Sequence, residues 1–380
     1  MFAFKQYIPL TEQKAAARGI QHLPHPAESA FQNSKGAIGS ALSNISGVVS
    51  GRAPLTRKID DRMSFQVIKT PEGKVGVKYK GPGAEYNYSQ KDIEKQYAHK
   101  AYVAGPLSNI LKHVGKVLPD KPGEYQGGYL SGKEDRKEED GHISHTPNTI
   151  KYSVPKDSPE GKKLAKAPLS IALHSRLDAS GKASPIEAGE LKDHPDVHVM
   201  SHTVSAEERK LSPEAKKKAV EHIAAAKKLA KDNPTSHLEG HNETLLRYTN
   251  STIDTGEKPS VQGYKKFLEK YHQKRIDSVT TEKAKAQKRD EMQAALNHVD
   301  EHMGKFDKSF DIHHHIQKAT YAVADALSKT AHGGYKHSIG GQESTGEGFV
   351  AKGMKYVPRQ FTEANRKRSA ELRAKKSVVI

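Results

Sequence analysis

The residue of this chain with the clearest chemical potential is Lys58, which is flanked by Arg57 and Arg62 and followed by Asp60 and Asp61. A lysine amine is a nucleophile only when it is unprotonated, so a protein that uses one must lower its pKa from about 10.4. Neighbouring cations, a bound divalent metal ion or partial burial can each do this. On this stretch alone, a solvated lysine at the start of a strand is the simpler interpretation, and the nucleophile remains the alternative.

A β-hairpin is predicted directly after Lys58. Residues 64–68 have the pattern of a strand, and residues 74–80 alternate between apolar and basic or small side chains. Thr70-Pro71-Glu72-Gly73 supplies turn residues between the two runs. The second strand carries basic side chains, among them Lys78 and Lys80, and would bring them near Lys58.

Composition limits the classes of partner. The chain has 380 residues, a net charge of +17, only 34% hydrophobic residues and neither Trp nor Cys. Such a positive field favours polyanions such as nucleic acid or nucleotides, and the lack of Cys excludes disulfides and thiolate metal sites. No apolar run approaches the ~20 residues of a membrane span, and the N-terminus lacks a signal-peptide core. We therefore expect a soluble, cytoplasmic protein without a membrane partner.

The middle of the first half predicts further core elements. Residues 91–118 have the pattern of one or two helices interrupted at Gly105-Pro106, whereas the charged run from Lys133 to Glu139 predicts a solvated loop. Residues 149–154 and 169–173 predict strands.

The character of the chain changes near residue 205. A Lys/Ala-rich helix is predicted over 212–231, a polar loop over 233–260, and charged helices over 261–304 and 308–330. Two short strands around Gly353 and a basic helix from Thr362 to Lys376 follow. Phosphate binding and a solvated face explain the basic charge of the 212–231 helix equally well.

Three motifs resemble one superfamily. Lys58-Ile59-Asp60-Asp61 resembles the KxDG nucleophile motif of the covalent nucleotidyltransferases, which include ATP-dependent DNA ligases, RNA ligases and mRNA capping enzymes. Glu347-Gly348-Phe349-Val350 is similar to their EGhV motif, in which h is apolar, and Met354-Lys355-Tyr356-Val357 resembles their final lysine-bearing strand. The chain also resembles an uncharacterised tailed-phage protein family over most of its length. The similar stretches include Phe4 to Tyr7, Pro147 to Pro155, the strand ending at His174, Gly263 to Leu327 and Glu347 to Asn365.

The superfamily resemblance implies roles for individual residues. Lys58 would attack the α-phosphate of ATP, giving a lysyl-nucleotide and pyrophosphate, with charge stabilisation as the main further need. Glu347 would hold a magnesium ion, which prefers carboxylate oxygens. Contacts to the nucleotide fall to Asp60, Arg62, Lys78, Lys80 and Lys355. The basic closing helix is the predicted nucleic-acid surface, through Arg366, Lys367, Arg368 and Arg373.

The chain departs from the superfamily pattern at several positions. Asp61 stands where the nucleophile motif has glycine, and Gly128 stands where the middle motif has an acid. The aromatic residue that stacks on the base is not evident between Ile171 and His174. Little chain follows Lys355, so we expect no C-terminal OB domain, which brings the sequence closer to RNA ligases or a divergent enzyme.

These observations predict an α+β protein with an antiparallel nucleotidyltransferase core of the ligase-adenylation type. The core would comprise residues 1–204 and 344–380, with a large helical insertion over 205–343. The leading hypothesis is an ATP-dependent covalent nucleotidyltransferase acting on RNA or DNA ends. The alternative is a catalytically degenerate nucleic-acid-binding phage protein that retains the fold, in the host cytoplasm or associated with the virion.

Overall fold

The computed structural model describes residues 23–34, 36–80, 84–178, 180–186, 189–255 and 257–377, without the side chains of 254–255 and 369–377. The architecture is α+β, with largely antiparallel sheets. Residues 1–22, which include the Phe4 to Tyr7 stretch of the phage-family resemblance and most of the N-terminal arm expected over residues 1–25, lie outside the described residues. None of the described helices is long and apolar enough to cross a membrane.

The described strands, in chain order, are β1 (Thr56–Lys58), β2 (Met63–Lys69), β3 (Val75–Tyr79), β4 (Gly123–Gly132), β5 (Arg136–Glu139), β6 (His142–His145), β7 (Lys151–Pro155), β8 (Leu169–Leu177), β9 (Ala183–Pro185), β10 (Val197–Val199), β11 (Lys336–Ile339), β12 (Gln342–Glu343), β13 (Gly348–Ala351) and β14 (Met354–Tyr356). The described α-helices are α1 (Ala37–Val49), α2 (Gln90–Tyr97), α3 (Ala101–His113), α4 (Pro159–Lys166), α5 (Pro213–Lys231), α6 (Asn242–Thr255), α7 (Val261–Asp277), α8 (Glu282–Glu301), α9 (Met303–Leu327) and α10 (Arg359–Ser377).

The chain divides into two compact units, each discontinuous in sequence. The sheet unit contains Arg57–Thr203 and His332–Glu347, and the helical unit contains Leu23–Thr56, Val204–Ala331 and the chain from Gly348 onward. Each unit has its own hydrophobic core.

The sheet unit is built on a sheet of strand order β10-β8-β4-β2-β3, with β9 paired to β8. The predicted hairpin is confirmed as β2 and β3, with Gly73 at a φ of 80° in its turn. Phe65 and Val67 of β2 face the core, against which α3 packs, because alternate strand residues point to opposite faces. Ser64 and Gln66 therefore lie on the other face, which is polar. A second sheet, of order β12-β11-β7-β6-β5, completes the unit.

Two expectations for the sheet unit were wrong. The helical break falls at residues 98–100, between α2 and α3, and Pro106 lies inside α3. Pro106 is buried on the same face as Val103 and Leu107, so tertiary packing holds the helix through the proline. In the charged run from Lys133 to Glu139, expected to be a loop, the last four residues form β5, whose backbone pairs with β6 while its side chains stay largely exposed. Charged side chains are tolerated there because an edge strand needs only one paired side.

The helical unit packs mainly around α9, which contacts α5 and α1. The expected loop over 233–260 was wrong in its second half, which is α6, because Leu245, Tyr248 and Thr252 form a buried face. Residues 261–304 form two helices, α7 and α8, with the start of α9. The predicted strands around Gly353 are confirmed as the β13–β14 hairpin.

Buried histidines make the stability of the helical unit sensitive to acid. Burial lowers the pKa of His237 and His241 to about 4 and that of His313 to about 3. Because these values lie below the unfolded value of about 6.5, the unfolded chain binds more protons, and stability is lost as the pH falls from about 6.5 towards 4. We expect the melting temperature to fall between about pH 7.5 and pH 5, with each histidine contributing up to about 1.4 kcal/mol per pH unit. Thermal unfolding followed by far-ultraviolet circular dichroism measures this, and a melting temperature that stays constant over the range would contradict it.

Candidate active site

Lys58 and Glu347 form an ion pair although they lie 289 residues apart in the chain. Lys58 ends β1, and Glu347 lies in the loop after β12, so both belong to the sheet unit. The Lys58 side chain is 32% exposed and that of Glu347 is 16% exposed. The nucleophile candidate is thus reachable from solvent while its carboxylate partner is largely enclosed.

Asp60 fixes the turn between β1 and β2. Its buried carboxylate accepts hydrogen bonds from the Asn148 amide (3.0 Å) and from the backbone N–H groups of Thr149 (2.5 Å) and Ile150 (3.0 Å). Its own backbone N–H donates to the Tyr152 hydroxyl at 2.8 Å. Asp60, predicted as a nucleotide contact, is therefore engaged with the loop before β7 and holds Lys58 in position.

Replacement of Asp60 by alanine should lower the free energy of unfolding by about 3 kcal/mol, because it leaves two buried backbone donors unpaired. Urea denaturation of the full chain measures this change. Glu139→Ala is the matched control, since it removes a carboxylate that makes an exposed ion pair with Lys151 and should cost less than about 1 kcal/mol. Equal losses in the two variants would argue against the anchoring role of Asp60.

Asp60, Asp61 and Glu347 form a carboxylate cluster with Lys58, in which the charges of Lys58, Asp60 and Asp61 all act on Glu347. Burial, together with the charges of Asp60 and Asp61, raises the pKa of Glu347, while Lys58 opposes that rise. Burial also raises the pKa of Asp61, against the effect of a Ser64 hydroxyl that donates to its carboxylate at 2.9 Å. The cluster carries more negative than positive charge, so a further cation would stabilise its ionised form.

Asp61 and Gly128, the two main departures from the superfamily pattern, lie against each other. A Cβ added to Gly128 would come closer than 3.0 Å to the Cβ, Cγ and Oδ2 atoms of Asp61. Gly128 lies opposite Ser64 in the β2–β4 pairing, on the polar face of the sheet. The carboxylate of Asp61 thus fills the space that a side chain at position 128 would take, and the glycine is required by that close approach.

The other predicted contacts of the sheet unit fall into two groups. Lys80 is exposed, and its charge acts on Asp61 and on His174. Burial is the main cause that lowers the pKa of His174 to about 4, so its imidazole is neutral. Arg62 and Lys78 have acidic neighbours: Arg62 pairs with Asp135 at 2.8 Å, and Lys78 lies 3.7 Å from Glu124 and over the ring of Tyr86.

The remaining predicted residues belong to the helical unit. The backbone N–H of Lys355, on β14, donates to the Pro24 carbonyl at 3.0 Å, and its charge counteracts the rise that burial causes in the pKa of Glu28. Arg366, Lys367 and Arg368 lie on α10, where the Arg366 guanidinium donates to the Ile253 carbonyl. The side chain of Arg373 lies outside the described residues.

Sequence reasoning missed a buried polar network in the sheet unit. His198 bonds Ser170 through Nδ1 at 2.7 Å and Glu160 through Nε2 at 2.8 Å, and the Tyr335 hydroxyl donates to Glu160 at 3.0 Å. This order of serine, histidine and carboxylate is the one used by nucleophilic hydrolases. The Ser170 and His198 side chains are fully buried, however, so the network joins the two sheets and lies out of reach of a substrate. In the sequence, the only sign of this network was that Ser170 and His198 alternate with apolar residues in β8 and β10.

No group of three or more histidine or acidic side chains is assembled for a metal ion in the described part of the chain. Magnesium is commonly held by one or two carboxylates together with substrate phosphates and water. Asp61 and Glu347 supply two carboxylates whose charges act on each other, so this pair fits a phosphate-bound magnesium ion.

The fold and site define an α+β protein with a lysine–carboxylate cluster beside the polar face of an antiparallel sheet. The chain belongs to DUF6267, a family of unknown function whose model matches residues 83–369. Glu347 lies within the matched region and Lys58 lies before it. No curated protein and no solved structure is significantly similar to the chain.

Proposed function

We propose that this protein is an ATP-dependent covalent nucleotidyltransferase, similar to RNA and DNA ligases, with Lys58 as its nucleophile. The observation that supports this most strongly is the ion pair of Lys58 with Glu347 inside a cluster of carboxylates. The two residues come from two of the three motifs that resemble the superfamily, and they lie 289 residues apart in the chain.

The proposed step begins with loss of a proton from the Lys58 ammonium group. Glu347 is in direct contact with that group and is placed to accept the proton. The neutral amine attacks the α-phosphorus of ATP, a nitrogen–phosphorus bond forms, and the bond to the bridging oxygen breaks. Pyrophosphate leaves with that electron pair, and the chain keeps a lysyl-adenylate for transfer to the end of a nucleic acid.

Asp61 and Glu347 are the residues that would hold magnesium, which supplies charge neutralisation at the phosphates when bound. Lys80 is exposed beside Asp61 and is placed to attract phosphate oxygens. The imidazole of His174 lies near Lys58, on the strand where the superfamily aromatic was not evident, and is the candidate contact to the base.

The position of Asp61 bears on whether the site is degenerate. An acid is missing at position 128, yet the Asp61 carboxylate occupies the adjacent space on the same face of the sheet. We propose that Asp61 supplies the acidic function that Gly128 lacks, so that the two departures compensate each other.

The test is covalent labelling. The purified chain is incubated with α-labelled ATP and magnesium or manganese, denatured, and examined for retained label, followed by peptide mapping. We expect a lysyl-adenylate on Lys58 that is stable to base and labile to acid, as a phosphoramidate should be. Absence of label with ATP and with the other three nucleoside triphosphates would overturn the proposal.

A non-catalytic nucleic-acid-binding protein is the second candidate. The same ion pair would then serve only to tie the loop after β12 to β1. The observation that favours this function is the set of exposed lysines on α5 and α10, among them Lys217, Lys228 and Lys367, which need no chemistry at Lys58.

A further inference from the structure

A basic and aromatic cleft lies between α6 and α7 in the helical unit. Its volume is about 710 Å³, within the range of small-molecule sites. The residues that line it are Arg247, Ser251, Phe267, Lys270, Tyr271, Lys274, Arg275 and Ser278. Four of these eight carry positive charge, two are aromatic, and none is acidic.

The face of α7 that lines the cleft is distinct from the face that packs into the core. Val261, Tyr264, Leu268, His272 and Ile276 are buried, as expected for a helix packed on one side. The cleft residues of α7 and its C-cap, from Phe267 to Ser278, follow one another at alternating spacings of three and one and form a second stripe.

The aromatic and cationic groups are already arranged together. The guanidinium carbons of Arg247 and Arg275 lie 5.8 and 5.7 Å from the centre of the Tyr271 ring, which is stacked with Phe267 at 6.2 Å. Arg247 also pairs with Glu243, and Arg275 lies 3.6 Å from Glu291. Lys270 and Lys274 are exposed, and neither makes an ion pair with another described residue.

We propose that this α6–α7 cleft binds single-stranded nucleic acid. The cations would contact successive phosphates, and unpaired bases would stack on Tyr271 and on the guanidinium planes. Stacking favours a single strand because the bases of a duplex already stack on each other. The proposal is independent of chemistry at Lys58, since binding here needs neither ATP nor a metal ion.

Fluorescence anisotropy with labelled oligo(dT) and oligo(U) of about 12 nucleotides tests the proposal on the full chain without ATP. Tyr271→Ala should weaken binding about tenfold and leave the salt dependence unchanged, because it removes stacking and no charge. Lys270→Ala combined with Lys274→Ala should weaken binding and reduce the slope of log K against log salt by about 1.4.

Lys217→Ala with Lys228→Ala is the matched control, because it removes two exposed charges from α5 of the same unit. Circular dichroism verifies that each variant is folded. An equal loss in the control pair, or an unchanged affinity in Tyr271→Ala, would overturn the proposal and leave a diffuse polyanion surface. Equal affinity for a duplex of the same length and for heparin would overturn it as well.

Discussion

Lys58→Arg should reduce covalent labelling by ATP at least about 10³-fold, to background, while the protein remains folded. Arginine keeps the positive charge that pairs with Glu347, so the site is not left with an uncompensated buried carboxylate. Its guanidinium has a pKa above about 12 and cannot lose a proton to become a nucleophile. The variant therefore separates the ion pair from the chemistry, which Lys58→Ala alone cannot do.

Retained label after denaturation measures this effect, and the melting temperature verifies the fold. Lys74→Arg is the matched control, because Lys74 is an exposed lysine at the tip of the nearby hairpin. Label that persists on Lys58→Arg would remove Lys58 from the mechanism. Loss of label in both variants would point to a general effect of the substitution.

An exchange of the acid between positions 61 and 128 should restore most of the labelling that each single change removes. Asp61→Gly should lower labelling about 10²-fold, as expected for loss of one electrostatic contact to the reacting phosphates. Gly128→Asp alone should destabilise the protein by about 1–3 kcal/mol, because its new side chain meets Asp61. The double variant removes that clash and returns a carboxylate to the same face of the sheet.

A double-mutant cycle measures both consequences, with urea unfolding for stability and single-turnover labelling for chemistry. Recovery of stability without recovery of labelling would show that the two residues only pack together, and would contradict a role for Asp61 in the reaction. Gly132→Asp is a useful control, since Gly132 lies on β4 and its added side chain would meet Glu134 and not Asp61. It should show no recovery when combined with Asp61→Gly.

The two predictions together distinguish an active enzyme from a retained fold. A chain that is labelled only on Lys58, and that depends on the acid at either position 61 or position 128, fits a ligase-like enzyme with a relocated carboxylate. A chain that is never labelled, yet loses single-strand affinity in the α6–α7 cleft variants, fits the nucleic-acid-binding alternative. DUF6267 has no assigned function, so either result would also guide work on the family.

The sequence by itself determined the local elements with strong patterns. The β2–β3 hairpin followed from strand periodicity and turn residues, and the β13–β14 hairpin from two apolar runs around Gly353. The helices over 212–231 and within 261–330 followed from their spacing of apolar and charged residues. Where patterns were weak, as in β5 and α6, the sequence misled, because backbone pairing and a small buried face outweigh polar composition.

Only the tertiary structure decided what the site residues contact. Strand pairing and loop geometry place Glu347 on Lys58, and no spacing rule links positions 289 residues apart. In the sequence, Asp60 and Arg62 are both charged residues close to Lys58 and were predicted to have the same role. In the structure, the loop before β7 encloses Asp60, whereas Arg62 pairs with Asp135. In the sequence, Asp61 and Gly128 are two separate departures from the superfamily pattern. In the structure they lie against each other across the β2–β4 pairing and form one feature. The physical reason is that helices and strands follow from the local propensities of neighbouring residues, whereas burial, charge balance and close approach arise only when distant segments pack.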